Sequence, residues 1–280
     1  MRTIVRLTLL EAVRRRLLWA FLGLTVVSVA VTGWGFDRLA SIAHEHDTSD
    51  LQLAVGLSQV LILVAFMFSF VLAMTAGFMA APAIGGEIES GVAQTMLSRP
   101  LRRSEYLLGK WLGLSILIAG YALAAGFLEL VVVHAVSGYW PPDPILAVGY
   151  LTFEAIVLLT LALVLGTRLP SIAGGAIVVV VYGLTWLGGV TGGVGAFFKV
   201  PALVTAADVS HIIVPVDGLW RGVVYGLEPS AMFLLGDRSV LVANPFFASS
   251  PPSPLYLVWS VVWLALVLGT GIWLLRRREI

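Results

Sequence analysis

Two carboxylates lie within long apolar runs of the sequence, Glu129 and Glu154. An acid at the middle of a bilayer costs on the order of 3 kcal/mol, so such residues usually face a cavity or a partner. Two interpretations stay open for this pair. Each acid is either a protonated carboxyl that hydrogen-bonds a neighbouring helix, or part of a polar lining along a path for a substrate or an ion. We take both residues as candidates for the second role.

Other chemical motifs are weak or absent. The cluster His44-x-His46-Asp47 has side chains that suit a transition metal, but no fourth ligand is nearby, and we predict no metal site. A phosphate-binding loop ends in Gly-Lys-Ser/Thr, whereas Lys110 is followed by Trp111. The absence of cysteine excludes disulfides, thiolate metal sites and thiol catalysis. The chain is therefore predicted to be neither an enzyme nor a cofactor-binding protein.

The composition is that of a membrane protein. Hydrophobic residues make up 59% of the 280 residues and charged residues 12%, which is too apolar for a soluble domain. A bilayer core about 30 Å thick needs roughly 20 apolar residues per helix. Six stretches reach that length: Leu17–Phe36, Val55–Ala81, Leu107–Val136, Ile145–Gly166, Ser171–Val194 and Leu255–Leu275. The sequence therefore predicts an all-α, polytopic membrane protein with six spans in a single domain, residues 1–280.

The basic residues indicate an orientation. With a cytoplasmic N-terminus, thirteen of the seventeen lysines and arginines fall in cytoplasmic segments. The positive-inside rule then places both termini and residues 84–106 in the cytoplasm and residues 195–254 outside. Residues 1–16 form a basic amphipathic pattern that predicts a helix at the membrane interface. Since topology accounts for the arginines, no nucleic-acid partner is predicted. The excess of arginine over lysine indicates a high-GC coding bias and hence a prokaryote, so the plasma membrane is the expected location.

A charged island separates the second and third apolar stretches. Its apolar residues recur at helical spacing: Ile88, Val92 and Met96. Its polar residues fall on the other side: Glu87, Ser90, Gln94 and Ser98. Arg99-Pro100 should end this helix, because a proline disfavours the helical conformation of the residue before it. Ser104 is expected to cap the next helix. The pattern predicts a short surface helix between two spans.

This island resembles the cytoplasmic loop of permeases of the ABC-2 family, which belong to the ATP-binding-cassette transporters. The residues that match the family pattern are Gly86, Glu87, Gly91, Leu97, Ser98, Arg99, Pro100, Arg102, Arg103, Leu107, Leu108, Gly109, Lys110, Trp111 and Gly113. Val92 stands where the family often has threonine. The layout of the chain is also similar to that of permeases that serve nitrous-oxide reductase maturation.

The resemblance implies the membrane half of an ATP-driven exporter, in which two copies work with two ATPase subunits that carry ATP and Mg²⁺. It implies coupling to the ATPase through Glu87, Ile88, Glu89, Gly91, Val92, Met96, Arg99, Pro100 and Lys110. Two alternatives stay open from the residues alone. One is an ATP-independent, ion-coupled transporter that uses Glu129 and Glu154, and the other is a membrane anchor for a partner enzyme.

Two further regions carry expectations. The fifth stretch holds the overlapping pairs Gly188-x-x-x-Gly192 and Gly189-x-x-x-Gly193, a spacing that lets another backbone approach closely. The resemblance implies that the second and fifth spans build the contact between two copies. In the outer loop, helices are expected from Pro201 to Ile213 and from Asp217 onward as N-cap. Both should lie at the membrane interface, with tryptophan at headgroup depth.

Overall fold

The computed structural model describes residues 1–14, 16–46, 49–92, 102–229 and 244–278. These residues form nine α-helices and no strand. The helices are α1 (Arg2–Arg14), α2 (Arg16–Glu45), α3 (Asp50–Glu89), α4 (Arg103–Ser137), α5 (Pro144–Leu165), α6 (Ser171–Phe197), α7 (Pro201–Ile213), α8 (Asp217–Leu227) and α9 (Pro254–Arg276). The prediction of an all-helical membrane protein is confirmed.

Five helices are long and apolar enough to cross a bilayer: α3, α4, α5, α6 and α9. They correspond to five of the six predicted stretches, of which Ile145–Gly166 extends one residue beyond the end of α5. The sixth stretch, Leu17–Phe36, falls within α2, where the side chains of Leu17, Leu18 and Ala20 lie outside the described part of the chain. Helices α7 and α8 also meet the criteria when taken as a pair, with a bend of 97° at the break between them.

Several helices extend beyond the predicted spans. Helix α2 continues beyond its predicted span, through Asp37 to Glu45. It continues because no proline or glycine interrupts the chain between Gly35 and Ser49. Ser49 then caps α3 by accepting a hydrogen bond from the backbone N–H of Gln52 at 3.4 Å.

The charged island is organised differently from the expected single surface helix. Glu87 and Ile88 belong to the last turn of α3, which is continuous with the membrane span. Gly91 has φ +74°, a left-handed conformation that ends the helix and that few side chains tolerate. A helix from Ile88 to Met96 is therefore interrupted. Residues 93–101, which include Met96, Arg99 and Pro100, lie outside the described residues.

Helix α8 packs inside the bundle, against the central helix α5. Two glycines permit this approach: a Cβ at Gly222 would lie 2.6 Å from the ring of Tyr150, and one at Gly226 would lie 2.9 Å from the carbonyl oxygen of Asp143. Trp220 is only 2% exposed, so it is covered by protein and is not placed as an interfacial residue. An amphipathic pattern reveals an apolar face, but it does not tell whether protein or lipid covers that face.

Candidate functional site

Four polar side chains meet where α3 ends and α4 begins, and we call this group the Glu87 junction: Glu11, Glu87, Tyr106 and Lys110. The ammonium Nζ of Lys110 donates to Oε1 of Glu87 at 2.5 Å and to Oε2 of Glu11 at 3.4 Å. The hydroxyl of Tyr106 donates to Oε2 of Glu87. Lys110 is 4% exposed and Glu87 12%. The junction is therefore a mostly buried ion pair that ties α1, α3 and α4 together.

The residues around Lys110 serve close helix packing. A Cβ at Gly109 would lie 2.9 Å from Ile4, and a Cβ at Gly113 would lie 2.9 Å from Thr8. These two glycines let α1 lie directly on α4. The indole Nε1 of Trp111 donates to Oγ1 of Thr160 on α5 at 2.8 Å. The segment 107–113 thus joins three helices at one point.

Glu89 links the end of α3 to the start of α6. Its Oε1 accepts from the backbone N–H of Ser171 at 2.8 Å, and both oxygens lie 3.3 Å from the Ser171 hydroxyl. Pro170, the N-cap residue of α6, provides no side-chain cap. The Glu89 carboxylate supplies the missing acceptor, with the charge that the helix dipole favours at an N-terminus. Displacement of the end of α3 would therefore also move α6.

Two arginines at the same end of the bundle donate hydrogen bonds to carbonyl groups at the C-terminus of α9. Nη1 of Arg103 donates to the carbonyls of Leu275, Arg276 and Arg278 at 2.7, 2.9 and 2.8 Å. Nη2 of Arg168 donates to the carbonyl of Leu274 at 3.0 Å. The last carbonyls of a helix lack partners within that helix, so these cations satisfy them. The sequence had suggested only a topological role for these arginines.

A second group, the Asp217 cluster, lies at the break between α7 and α8: Gly189, His211, Asp217 and Arg221. Oδ2 of Asp217 lies 2.6 Å from Nε2 of His211 and accepts from Nε of Arg221 at 3.1 Å. Nη2 of Arg221 donates to the carbonyl of Gly189 at 3.1 Å. Asp217 is the first residue of α8, one position after the N-cap Val216. Its carboxylate joins α6, α7 and α8.

The glycine stripe of α6 is covered within the chain. A Cβ at Gly188 would lie 2.7 Å from Oγ of Ser210, and one at Gly192 would lie 2.5 Å from Cβ of Ala207. Both contacts are made by α7. Gly189 faces Asp217, and Gly193 is also buried. These four glycines were candidates for a contact between copies, whereas the structure packs at least three of them against α7 and Asp217 of the same chain.

The two acids within the spans do not meet. Oε1 of Glu129 accepts from the hydroxyl of Ser28 on α2 at 2.7 Å, and Oε1 of Glu154 accepts from Ser69 on α3 at 3.0 Å. Ser69 also lies 3.0 Å from the hydroxyl of Tyr182. In the described part of the chain neither acid forms an ion pair, and Oε2 of each lacks a hydrogen-bond partner. Glu129 borders a cavity of about 170 Å³ whose lining does not include Glu154.

The histidines singled out in the sequence contact backbone. Nδ1 of His44 lies 2.8 Å from the carbonyl of Ala40, and Nδ1 of His46 lies 2.9 Å from the carbonyl of Ile42. Asp47 lies outside the described residues. Within the ranges that the structure describes, no group of three or more histidine, aspartate and glutamate side chains is placed to hold a metal ion.

The comparison with protein families decides what kind of membrane protein this is. A family described as ABC-2 family transporter protein matches residues 2–280, which is nearly the whole chain. The chain belongs to the ABC-2 transporter family. No match was found among curated proteins. This ABC-2 protein is thus a multi-pass membrane permease subunit, and the membrane-spanning helices agree with that identification.

Sequence reasoning missed three contacting residues in this ABC-2 protein: Glu11, Tyr106 and Ser171. Tyr106 and Lys110 are four residues apart, a spacing that puts both on one face of α4. That spacing was a usable signal for a shared partner, but nothing in it identified Glu87. Glu11 and Ser171 are distant in sequence from the groups that they contact, so no local pattern connects them.

Proposed function

We propose that this ABC-2 protein is the membrane-embedded subunit of an ATP-driven exporter in the plasma membrane, and that it works as two copies with two separate ATPase subunits. The observation that carries the proposal is the family match over residues 2–280 together with the Glu87 junction. The junction adjoins the segment that, by the distribution of basic residues, faces the cytoplasm. In this proposal ATP and Mg²⁺ bind to the ATPase subunits.

The contacts at the end of α3 suggest how force from the ATPase reaches the spans. The ATPase presses on residues 90–102, where Gly91, Val92, Met96, Arg99 and Pro100 lie. Movement of this segment displaces the last turn of α3. The Glu87–Lys110 ion pair then transmits the displacement to α1 and α4, and the Glu89 cap transmits it to α6. Glu87 and Lys110 therefore act as internal links of the coupling, since both are largely covered by protein.

The proposed pairing of two copies uses a face other than the glycine stripe. The outward side of α6 carries large apolar side chains at helical spacing: Val180, Leu184 and Leu187. On α3 a similar exposed row contains Leu63, Met67, Phe70 and Met74. Since the ABC-2 resemblance implies contacts between copies through the second and fifth spans, we assign the contact to these exposed rows.

Ion-coupled transport without ATP is the alternative, and one observation favours it. Glu129 and Glu154 are buried acids that form no ion pair among the described residues. Such residues are common in proton-coupled carriers, because a buried carboxyl can take up and release a proton. The two proposals differ in their dependence on ATP.

Purification of the tagged chain from native membranes under mild detergent tests the proposal. We expect a complex that hydrolyses ATP and that contains two copies of the 29.9 kDa chain and two ATPase chains. The mass of the complex and its ATP hydrolysis are the two measurements. A chain that purifies without an ATPase, and that carries out ion-driven transport in ATP-free vesicles, would establish the alternative instead.

A further inference from the structure

A cavity of about 170 Å³ lies between α2, α3 and α4. It exists because α2 packs along α4 but makes only limited contact with α3. Its lining is mainly apolar, and its polar groups are Thr25, Ser28, Tyr121 and Glu129. An apolar cavity of roughly 150 Å³ is large enough to bind a benzene ring. The space is therefore sufficient for a small organic molecule.

Among the described residues of this lining, Glu129 is the only acid. Glu129 is 6% exposed, and the hydroxyls of Ser28 and Thr32 both interact with its carboxylate, but among the described residues its Oε2 makes no hydrogen bond. A buried acceptor without a partner is unfavourable, and a charged donor is the partner that compensates it best. The wall of the cavity thus carries a carboxylate with an oxygen that can accept from a further donor.

Two aromatic rings in the lining provide a second feature that favours a cation. Phe68 and Tyr121 line the cavity, and their ring centroids are 5.9 Å apart. The hydroxyl of Tyr121 is engaged at 2.7 Å with Oγ1 of Thr25, which fixes the position of the ring. Aromatic faces attract ammonium groups, and rings beside a carboxylate are a combination suited to organic cations.

The cavity adjoins the outer surface of the bundle. Leu24 on α2 and Met67 on α3 belong to its lining and are 47% and 52% exposed. In a membrane this surface faces the bilayer or a second copy. Met67 belongs to the row assigned to the contact between copies, so a ligand with an apolar body would enter from the lipid on the side of Leu24, without crossing the polar ends of the bundle.

We propose that the cavity between α2, α3 and α4 binds an organic ammonium cation with a small apolar body, and that Glu129 accepts the ammonium group. The inference rests on the proposed export function, for which it names the substrate class. The proposal assigns this role to Glu129 and not to Glu154, because Glu154 accepts a hydrogen bond from Ser69 and does not line this cavity.

Binding of benzylamine tests the assignment, with benzyl alcohol as the uncharged probe of similar size. The purified chain is placed in nanodiscs of neutral lipid at pH 7.5, and empty nanodiscs give the background. We expect saturable binding of benzylamine and at least tenfold weaker binding of benzyl alcohol. Glu129→Gln keeps the shape and one acceptor but removes the charge, so it should weaken benzylamine binding about ten- to a hundredfold.

Two variants control this experiment. Glu154→Gln removes the other buried acid and should leave benzylamine binding unchanged within about twofold. Ala125→Leu extends a lining side chain into the cavity and should weaken binding of both probes. The thermal unfolding midpoint of each variant, measured without ligand, shows whether the protein is folded.

Three results would overturn the proposal: equal binding of the two probes, unchanged benzylamine binding in Glu129→Gln, or unchanged binding in Ala125→Leu. The first result would mean that the cavity is a general apolar or water-filled space. Because binding is measured on the permease alone, it does not depend on an ATPase. Loss of the ATPase partner would refute the export function only, whereas loss of selective benzylamine binding would refute this inference only.

Discussion

Replacing Lys110 by alanine is expected to lower the free energy of unfolding by about 3–5 kcal/mol, since removal of one partner from a buried ion pair leaves the other charge uncompensated. The remaining charge is that of Glu87, which retains only the Tyr106 hydroxyl from the contacts of the Glu87 junction. Unfolding in mixed detergent micelles, followed by circular dichroism, measures the change.

Two controls distinguish the buried pair from general damage to α4. The double variant Glu87→Gln with Lys110→Met removes both charges, so it should recover a large part of the lost stability. Glu11→Gln changes a carboxylate that lies 3.4 Å from the same ammonium but is 43% exposed, and we expect an effect below about 1 kcal/mol. Equal losses in Lys110→Ala and in the double variant would show that charge pairing does not hold this junction together.

The substitution Gly189→Ala should destabilise the protein by about 3 kcal/mol or more. A Cβ at this position would lie 2.0 Å from Oδ1 and 2.3 Å from Cγ of Asp217. The carboxylate must move, and it then loses its contacts with His211 and Arg221. The thermal unfolding midpoint and the free energy of unfolding in mixed micelles are the measurements.

Gly183→Ala is the matched control for this substitution. Gly183 lies on the same helix, α6, and no atom lies within 4 Å of a Cβ built there. Since alanine favours a helix more than glycine, we expect a neutral or slightly stabilising effect. If both alanine variants behave alike, the contact between Gly189 and Asp217 is not important for stability.

The spans were predictable because the bilayer imposes a length on apolar segments that the sequence displays directly. Helix ends were less predictable. Gly91 was used only as one residue of a family pattern, and an isolated glycine within a helical pattern does not tell whether the helix ends there in a left-handed residue or continues. The same limit explains why the extension of α2 to Glu45 was not predicted, since polar residues after Asp37 are compatible with a helix as well as a loop.

Two of the four residues of the Glu87 junction, Glu87 and Lys110, were predictable from the sequence, but their contacts were not. Glu87 lies on the polar side of an amphipathic pattern, which indicated exposure toward a partner. Its partners Tyr106 and Lys110 lie on another helix, and only the packing of α3 against α4 brings them together. The glycine spacing on α6 likewise predicted that another helix packs closely against α6, but it did not tell whether that helix is α7 of the same chain or belongs to a second copy.

The proposed function requires an ATPase to bind the segment between α3 and α4 at the cytoplasmic face of the membrane. The chain contains no cysteine, so Gln94→Cys introduces a single thiol within that segment. Ser250→Cys, at an exposed position before α9, provides the control for the opposite side. In sealed membrane vesicles of known orientation, a membrane-impermeant maleimide reports which side reaches each thiol.

We expect the maleimide to label position 94 only from the cytoplasmic side and position 250 only from the other side. Addition of the ATPase that copurifies with the chain should protect position 94 and leave position 250 reactive. Labelling of position 94 from outside the cell, or equal labelling with and without the ATPase, would contradict the proposed binding of an ATPase to this segment.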